Sequence, residues 1–444
     1  MNTVAVDCAA PAEHTLRRGQ VGVPKGVRKS ASLILIAALF ISGSAVAVLC
    51  GVPIKQVMKN YSYDVLIILI MMELFTNLIA ETGLMQRLAV RLAELSQGKK
   101  SLCLTMFGGM MFLISSCLNN ITAVMMILPV VFVLLKTLDA NRRYVYLFFA
   151  ALLALSNTGG AASPVGDFPA IVIMTSGITS FLSYLTHAFP LFAFTSVVLL
   201  AVWGAAVRGT DGDRGMRRLA VANLKSQYKN SAVRVDALGW LGAVFGGMFL
   251  AWSFIPQDMI PPEIIAVLGY AAAMAVCSVK GLKVKQQMDL KPVLTIASFL
   301  FLAQVIGQMG ILNVVAASLR SGIKEPKLLV MAIMVITSLV AGVFGAGPAA
   351  AAMMPVITEL CSGPLQAQSD WIAVAYAAAI CAGSSLFMWS ASAGFILSGK
   401  IEETGLEDEY GGKISWGVKH YFKYGVINYI VQMSIALLAV AIIL

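Results

Sequence analysis

Charged residues are scarce in this sequence. Only 12% of its 444 residues are Asp, Glu, Lys or Arg, while 59% are hydrophobic. A soluble globular domain usually carries roughly twice that charged fraction. A cytosolic enzyme, a nucleic-acid-binding protein and a disordered scaffold are therefore poor interpretations of this chain.

The sequence is also poor in the motifs of metal and catalytic sites. Its seven cysteines form no CxxC pair, and no histidine stands near them at metal-binding spacing. The HExxH and GxSxG patterns are missing, and the apolar segments hold no cluster of His or Cys. We predict that the protein is not an enzyme and has no cofactor, with a sodium ion as the one bound species to consider.

Long apolar runs are what the sequence has in abundance. Seven of them are long enough to cross a hydrocarbon core of about 30 Å as single helices. The first follows a basic tail, as in a signal peptide, but at about 20 residues it is too long for one, and we interpret it as a transmembrane helix. The seven predicted spans are 32–52, 63–82, 187–207, 238–255, 262–279, 292–309 and 421–443.

Four further apolar regions are too long for one helix and are interrupted near their middle by Asn, Gly, Ser or Pro. We interpret 102–136 and 329–361 as hairpins that enter and leave the membrane on one side. We interpret 144–175 and 371–399 as broken helices that cross it. The predicted fold class is an all-α polytopic membrane protein with an inverted-repeat ion transporter fold, of about eleven spanning elements plus two re-entrant helical hairpins.

The net charge of +10 is concentrated on one side of the predicted membrane. With the N-terminus in the cytoplasm, the 32 Lys and Arg all fall in cytoplasmic segments except Lys55, Lys59, Arg320, Lys324 and Lys327. This distribution satisfies the positive-inside rule. We predict a multi-pass protein of the cell inner (plasma) membrane that contacts lipid and has no nucleic-acid partner.

The two halves of the chain are similar to each other. A helix followed by a glycine (Gly83 or Gly310) and an amphipathic stretch, then a hairpin, then a broken helix, recur at an offset of about 224 to 227 residues. The intervening spans place the second copy upside down, and inverted repeats with broken helices are typical of secondary transporters. The predicted organisation is a cytoplasmic tail (1–31), a first transmembrane helix and outer loop (32–62), a first repeat (63–207), a basic cytoplasmic loop (208–237), linking transmembrane helices (238–291) and a second repeat (292–444).

Breaks inside a membrane helix leave unpaired backbone groups, which are tolerated only where they line a cavity or bind something. The alternatives are that the asparagines only cap a helix and that the glycines only permit a kink. Amide and hydroxyl oxygens at the breaks suit a sodium ion, with Asn119, Asn120 and Gly159 as its predicted ligands, or hydrogen bonds to an oxyanion. The candidates in the first repeat are Asn119, Asn120, Thr122, Asn157, Thr158, Gly159, Gly160 and Ser163.

Asp167 is the strongest single candidate for a functional residue. A carboxylate within a span is costly unless it is neutral, solvated or paired, and no Lys or Arg lies in the middle of a predicted span. We predict that Asp167 and Glu73, in the middle of 63–82, carry protons or bind a cation; the alternative for Asp167 is a place beside a water-filled vestibule. The second repeat has no carboxylate at its breaks and offers Gly347, Ser384, Ser385 and Ser390.

These segments resemble the ion transporter superfamily, which holds the citrate and other dicarboxylate carriers, the arsenite permeases and the NhaD-type sodium/proton antiporters. The similarity covers about 32–443 and rests on YDVLIILIMMELFTNLIAETGLMQRLAVRLAEL, LNNITAVMMILPV and SNTGGAASPVGDFPAIV, the last most similar to the antiporter and P-protein branch. It implies a scaffold and a transport domain, often in a homodimer. It also implies a first ion and substrate site at Asn119, Asn120, Thr122 and 157–160, with Ser384, Ser385 and Ser390 contributing from the second half.

The sequence thus predicts a secondary active transporter that moves a small ionic substrate by alternating access, coupled to sodium or protons. A small anion, with a carboxylate preferred, is the predicted substrate because helix N-termini at the breaks favour negative charge. A cation/proton antiporter of the NhaD type is the alternative. A channel or a non-transporting membrane sensor is a different class that the same breaks could serve.

Overall fold

The computed structural model describes residues 25–138, 140–208, 214–228, 233–282, 290–309, 318, 321–362, 365–391, 393–407 and 411–444. The described residues form helices and no β-strand beyond one isolated bridge, between Glu407 and Lys413. Most of the predicted N-terminal tail, the predicted turn at Gly310 and the predicted outer charge at Arg320 lie outside the described residues.

Eighteen α-helices are assigned in the described part of the chain. In order they are α1 (Lys25–Leu49), α2 (Ile54–Lys59), α3 (Tyr63–Glu81), α4 (Leu84–Ser96), α5 (Lys100–Ser115), α6 (Asn120–Thr137), α7 (Arg142–Ala161), α8 (Phe168–Thr175), α9 (Phe181–Val207), α10 (Arg214–Gln227), α11 (Val235–Phe254), α12 (Pro262–Val279), α13 (Leu290–Gln308), α14 (Pro326–Phe344), α15 (Ala346–Cys361), α16 (Ser369–Ser384), α17 (Gly394–Thr404) and α18 (Val418–Ile443).

Each of the seven predicted spans is a helix, and the prediction of an all-α polytopic membrane protein is confirmed. Among the described residues, eight helices are long and apolar enough to cross a membrane, and four shorter helices are also apolar. The largest differences in span boundaries are at α1, which begins at Lys25 rather than at 32, and at α9, which begins at Phe181 rather than at 187. Its N-cap explains the extra turn, because Ser180 Oγ accepts a hydrogen bond from the Ser183 amide at 3.1 Å.

The four long apolar regions are all interrupted where polar or small residues predicted it. We call α5–α6 the first hairpin, α7–α8 the first broken helix, α14–α15 the second hairpin and α16–α17 the second broken helix. Asn119 and Asp167 are the N-caps of α6 and α8, so each of these helices begins on a side chain that accepts a backbone hydrogen bond. In the second half the hairpin turns at Gly345, whose φ of 95° favours glycine.

Helix starts in the two halves share one offset. Lys100 and Pro326, Asn120 and Ala346, and Phe168 and Gly394 are the paired first residues, each pair separated by about 226 positions, as expected for a structural repeat. The inverted orientation of the second copy stays a prediction.

The same close backbone contact occurs within each half. A Cβ atom added to Gly159 would overlap the carbonyl oxygen of Phe112, and one added to Gly383 would overlap that of Ser338. In each half, therefore, a hairpin helix and a broken helix approach backbone to backbone at a glycine.

Candidate functional site

The first hairpin and the first broken helix meet at Asn120 and Asp167. Asn120 is fully buried and donates a hydrogen bond from Nδ2 to Asp167 Oδ2 at 2.9 Å. The other carboxylate oxygen, Oδ1, accepts from the Phe168 amide at 2.9 Å and so begins α8. Both oxygens of Asp167 thus accept hydrogen bonds from neutral donors, which orient the carboxylate.

Close approach at Gly160 makes this pair possible. A Cβ atom there would lie 2.7 Å from the side-chain amide atoms of Asn120 and 2.8 Å from the Asp167 Cβ. Any larger residue would push the amide and the carboxylate apart. A second link joins the same two elements, because Ser163 Oγ donates to the carbonyl oxygen of Ser116.

Asn120 also has an unsatisfied acceptor. Its Oδ1 atom is buried and has no hydrogen-bond partner within the described chain. A buried polar atom without a partner is costly and is rare in native proteins. Here it marks a place where a cation or a polar ligand atom would be stabilised.

The two halves of the chain are joined at Asn157. Its Nδ2 atom lies 3.3 Å from Ser384 Oγ and 3.2 Å from Ser385 Oγ, so one amide of the first broken helix donates toward both serines of the second. All three side chains are buried. The structure therefore brings together three predicted site residues from the two halves of the chain, which are about 227 positions apart.

Helix α18 adds two amides that the sequence analysis missed. Gln432 Nε2 donates to Ser385 Oγ at 3.1 Å, and Asn428 accepts from Trp203 Nε1 at 2.9 Å and donates to the Ala150 carbonyl at 3.3 Å. The sequence contained a signal for these two residues, because amides four positions apart in the middle of an apolar span face the same side of the helix.

Several other predicted residues have local structural roles. The Oδ1 atom of Asn119 accepts from the Ile121 amide at 2.9 Å, so its side-chain oxygen is engaged in a helix cap, the alternative that the sequence left open. Thr158 donates within its own helix and accepts from Ser196 at 3.0 Å. Ser390 donates to the carbonyl oxygens of Phe387 and Ser384 and thereby closes the turn of the second broken helix.

Three predicted residues lie at the edges of this cluster. Gly347 packs against the Phe168 ring, because a Cβ atom there would be 3.5 Å from it. Thr122 is half-buried in the first turn of α6. Glu73 is half-buried in α3, a helix that packs on α8, α12 and α13.

A small cavity lies at the junction of the two halves. Its volume is about 10 Å³, which is the size of a single water molecule. In this conformation the cavity has room for a proton, a small ion or a water molecule and excludes an organic acid. Its polar lining is formed by Asn157, Asp167, Ser384 and the Cys381 thiol.

A much larger cavity opens between α3, α8, α13 and α15. Its volume is about 390 Å³, within the range of small-molecule sites. Its lining includes two carboxylates, Asp64 and Glu359, and no Lys or Arg among the described residues. The polar lining residues are Ser62, Asp64, Thr175, Ser176, Gln304, Thr358, Glu359 and Ser362.

Interrupted membrane helices that meet on a buried polar cluster define a membrane transporter, and comparison with known proteins gives the family. A family profile described as Citrate transporter (CitMHS) matches residues 23–381. The chain belongs to this citrate transporter family, which confirms the resemblance to the ion transporter superfamily.

Individual relatives agree with this assignment. The chain is 26% identical over 346 residues to a 46 kDa membrane protein of Mycobacterium leprae, covering 76% of this chain and 77% of that protein. It is 24% identical over 353 residues to an uncharacterized transporter of Mycobacterium tuberculosis, covering 77% and 79%. It is also 27% identical over 145 residues to the P protein of Homo sapiens, a match to 33% of this chain and 16% of the P protein.

Proposed function

We propose that the protein is a secondary active transporter that moves a small carboxylate anion across the inner membrane by alternating access, coupled to sodium or protons. The observation that carries this proposal is the pairing of Asn157 with Ser384 and Ser385. Polar side chains from both halves meet there at the interruptions of their helices, which is where inverted-repeat transporters bind their substrate.

The large cavity supports a cation-coupled route for an anion. About 390 Å³ accommodates a small di- or tricarboxylate. A bare polyanion would be repelled by Asp64 and Glu359, because charges of like sign in a partly desolvated cavity raise each other's energy. A co-transported cation or proton removes this repulsion, so the acidic lining favours coupled entry.

The coupling ion would be held at the pair of Asn120 and Asp167. Asn120 Oδ1 offers a buried neutral oxygen, and Asp167 offers an anionic one beside it. Oxygen ligands of this kind suit a hard cation such as sodium, and the carboxylate alone can take up a proton. The predicted sodium ligand Asn119 is the least suited of the set, because its oxygen caps α6.

Transport in proteoliposomes tests the proposal. Purified protein would be reconstituted, and uptake of radiolabelled citrate and succinate would be followed with an imposed sodium gradient, a pH gradient, both or neither. We expect saturable uptake that exceeds the equilibrium level with at least one gradient. Uptake that never exceeds equilibrium would indicate a channel, and uptake indifferent to both gradients would overturn the coupling.

Ligand-dependent melting of the purified protein is an independent test. A ligand that binds only the folded state raises the midpoint, by an amount that corresponds to about 2.7 kcal/mol at a hundred times its Kd. We expect stabilisation by citrate or succinate that grows with sodium or with acidity. Stabilisation by sulfate or arsenite instead would still be consistent with a transporter, but it would indicate a substrate other than a carboxylate.

A cation/proton antiporter is the second candidate, and Asp167 is the observation that favours it. A half-buried carboxylate whose two oxygens accept hydrogen bonds from neutral donors can exchange a proton for a cation. In this case cations alone would stabilise the protein, and Asp167→Asn would abolish the effect. Ion exchange that survives Asp167→Asn would rule this candidate out.

We also propose that the protein forms a homodimer in the membrane. Helices α11 and α12 support this, because only 22% and 28% of their span residues are buried within one chain. Those apolar faces fit either lipid or a second copy. Mass photometry of the protein in nanodiscs, with dilution over several decades, would distinguish a monomer from a dimer.

A further inference from the structure

A second polar cavity lies outside the transport site, on the side that we predict to be cytoplasmic. It has a volume of about 440 Å³ and lies between α4, the turn that follows it, and α10. Five basic side chains and a single carboxylate line it. The charged lining residues are Glu94, Lys99, Arg214, Arg217, Arg218 and Lys225.

The cavity is built by the docking of α10, which lies within the predicted basic loop. Ala220 and Leu224 of this helix are almost completely buried. Gly98, with a φ of 68°, lies against Arg217, so that a Cβ atom there would be 3.1 Å from the arginine's carbonyl oxygen. The neighbouring Gln97 also has a positive φ, of 52°, which is uncommon for a residue other than glycine. The basic side chains are thus carried by a helix in a defined position.

The charges around this cavity are unbalanced. Glu94 is engaged by Lys225 at 3.0 Å and by Arg91 at 3.1 Å, and the bond from Lys225, followed by that from Arg91, lowers the pKa of the Glu94 carboxyl. No other carboxylate in the described residues lines the cavity. The Nε atom of Arg217 is buried and has no hydrogen-bond partner within the described chain. An anion in the cavity would supply both the missing charge and the missing acceptor.

We propose that this cavity binds a phosphate-bearing anion. Several arginines on one helix face suit phosphate oxygens, because the guanidinium group donates paired hydrogen bonds with the right geometry and keeps its charge. The anion could be presented by the headgroup of an anionic lipid or by a soluble phosphate compound. Leu95 and Leu219, which are 49% and 62% exposed on α4 and α10, flank the basic residues and favour the lipid.

The test compares two sources of a phosphate group, a soluble compound and a lipid headgroup. The melting midpoint of detergent-purified protein would be titrated with inorganic pyrophosphate. In parallel, the midpoint would be measured in nanodiscs of phosphatidylcholine with and without phosphatidylglycerol. We expect a rise with at least one source: pyrophosphate alone indicates a soluble ligand, phosphatidylglycerol alone indicates a lipid site, and both indicate headgroup binding.

Variants connect the effect to this cavity. Replacing both arginines (R217Q and R218Q) should weaken the response about tenfold, which corresponds to about 1.4 kcal/mol. The control K419Q with K423Q removes the same charge from exposed positions on α18, and it should respond as the natural protein does. Lys99→Gln, at an exposed turn position, repeats the test with less risk to folding, and Glu94→Gln should tighten binding. The proposal would be overturned if neither source raised the melting midpoint, or if the control variant lost the rise to the same extent as the arginine variant.

Discussion

Asn120 donates its side-chain amide to the Asp167 carboxylate at 2.9 Å, although the two residues are 47 positions apart. Asn120 begins the second arm of the first hairpin, and Asp167 begins the second arm of the first broken helix. The bond therefore fixes the two interruptions of the first half against each other. Changes at this pair act on both elements at once.

Asp167→Asn should preserve the fold and abolish coupling. The new amide oxygen can still cap α8, and Asn120 can rotate its unpaired Oδ1 atom toward the new NH₂ group. We expect a change of about 1 kcal/mol or less in the free energy of unfolding. Uptake driven by a sodium or pH gradient should fall to the level without a gradient. A melting curve and the proteoliposome assay measure the two effects separately, and a variant that retains gradient-driven uptake would contradict the role of Asp167.

Asn157→Ala should damage the contact between the halves. It removes the donor shared by Ser384 and Ser385 and should cost about 1 kcal/mol, because two buried hydroxyl oxygens each lose one of their hydrogen bonds. Uptake should fall more strongly than stability does. Ser156→Ala is the matched control, since the Ser156 hydroxyl donates only within its own helix, to Leu153 at 2.9 Å. Equal loss of uptake in the two variants would mean that the cross-half contact has no special role.

Gly159→Ala should be severely destabilising. Its added methyl group would overlap the Phe112 carbonyl, and backbone cannot move aside as a flexible side chain can. We expect a loss of about 1–3 kcal/mol or failure to express. Gly204→Ala is the control on a neighbouring helix, where the nearest atom to the new methyl group, Thr105 Oγ1, is 3.6 Å away. That variant should match or slightly exceed the natural protein in melting temperature, because alanine favours helix more than glycine does.

Acid should weaken the docking of α10. Because Lys225 lowers the pKa of Glu94 in the folded state, the pair stabilises the protein above the ordinary glutamate pKa of about 4.3, and this stabilisation is lost as the pH falls through the lowered value. The effect is at most about 1 kcal/mol, since both partners are partly exposed. Melting midpoints of the natural protein and Glu94→Gln should differ at pH 7 and converge near pH 3. A difference that is constant with pH would contradict this assignment.

Much of this architecture could be predicted from composition and spacing. Each bilayer-length apolar run is a helix, because a buried or lipid-facing backbone must satisfy its own hydrogen bonds. The interruptions near Asn119 and Asp167 were predictable for the same reason, since cap residues and glycines stand where apolar runs would otherwise continue. The resemblance to the ion transporter superfamily implied that Ser384 and Ser385 contribute to the same site as Asn157, and the structure brings these side chains within hydrogen-bond distance.

Other parts of the site depend on tertiary contacts that spacing does not encode. Gln432 and Asn428 are single amides in an apolar span, and only the packing of α18 shows that they bond to Ser385 and Trp203. The roles of Asn119 and Asn120 differ although they are adjacent, because one side chain caps its helix while the other turns toward Asp167. The ordered helix within the basic loop was missed as well, since its buried face consists of little more than Ala220 and Leu224.

The small cavity between the two halves bears on how tightly the proposed coupling would be kept. Side chains from the two halves surround a space of about 10 Å³, which has room for about one water molecule and not for a file of them. Protons move rapidly along such files, and a carrier that contained one would dissipate the gradient on which it depends. Under the proposed coupling, the bonds from Asn157 to the two serines would limit proton leakage by keeping this space narrow.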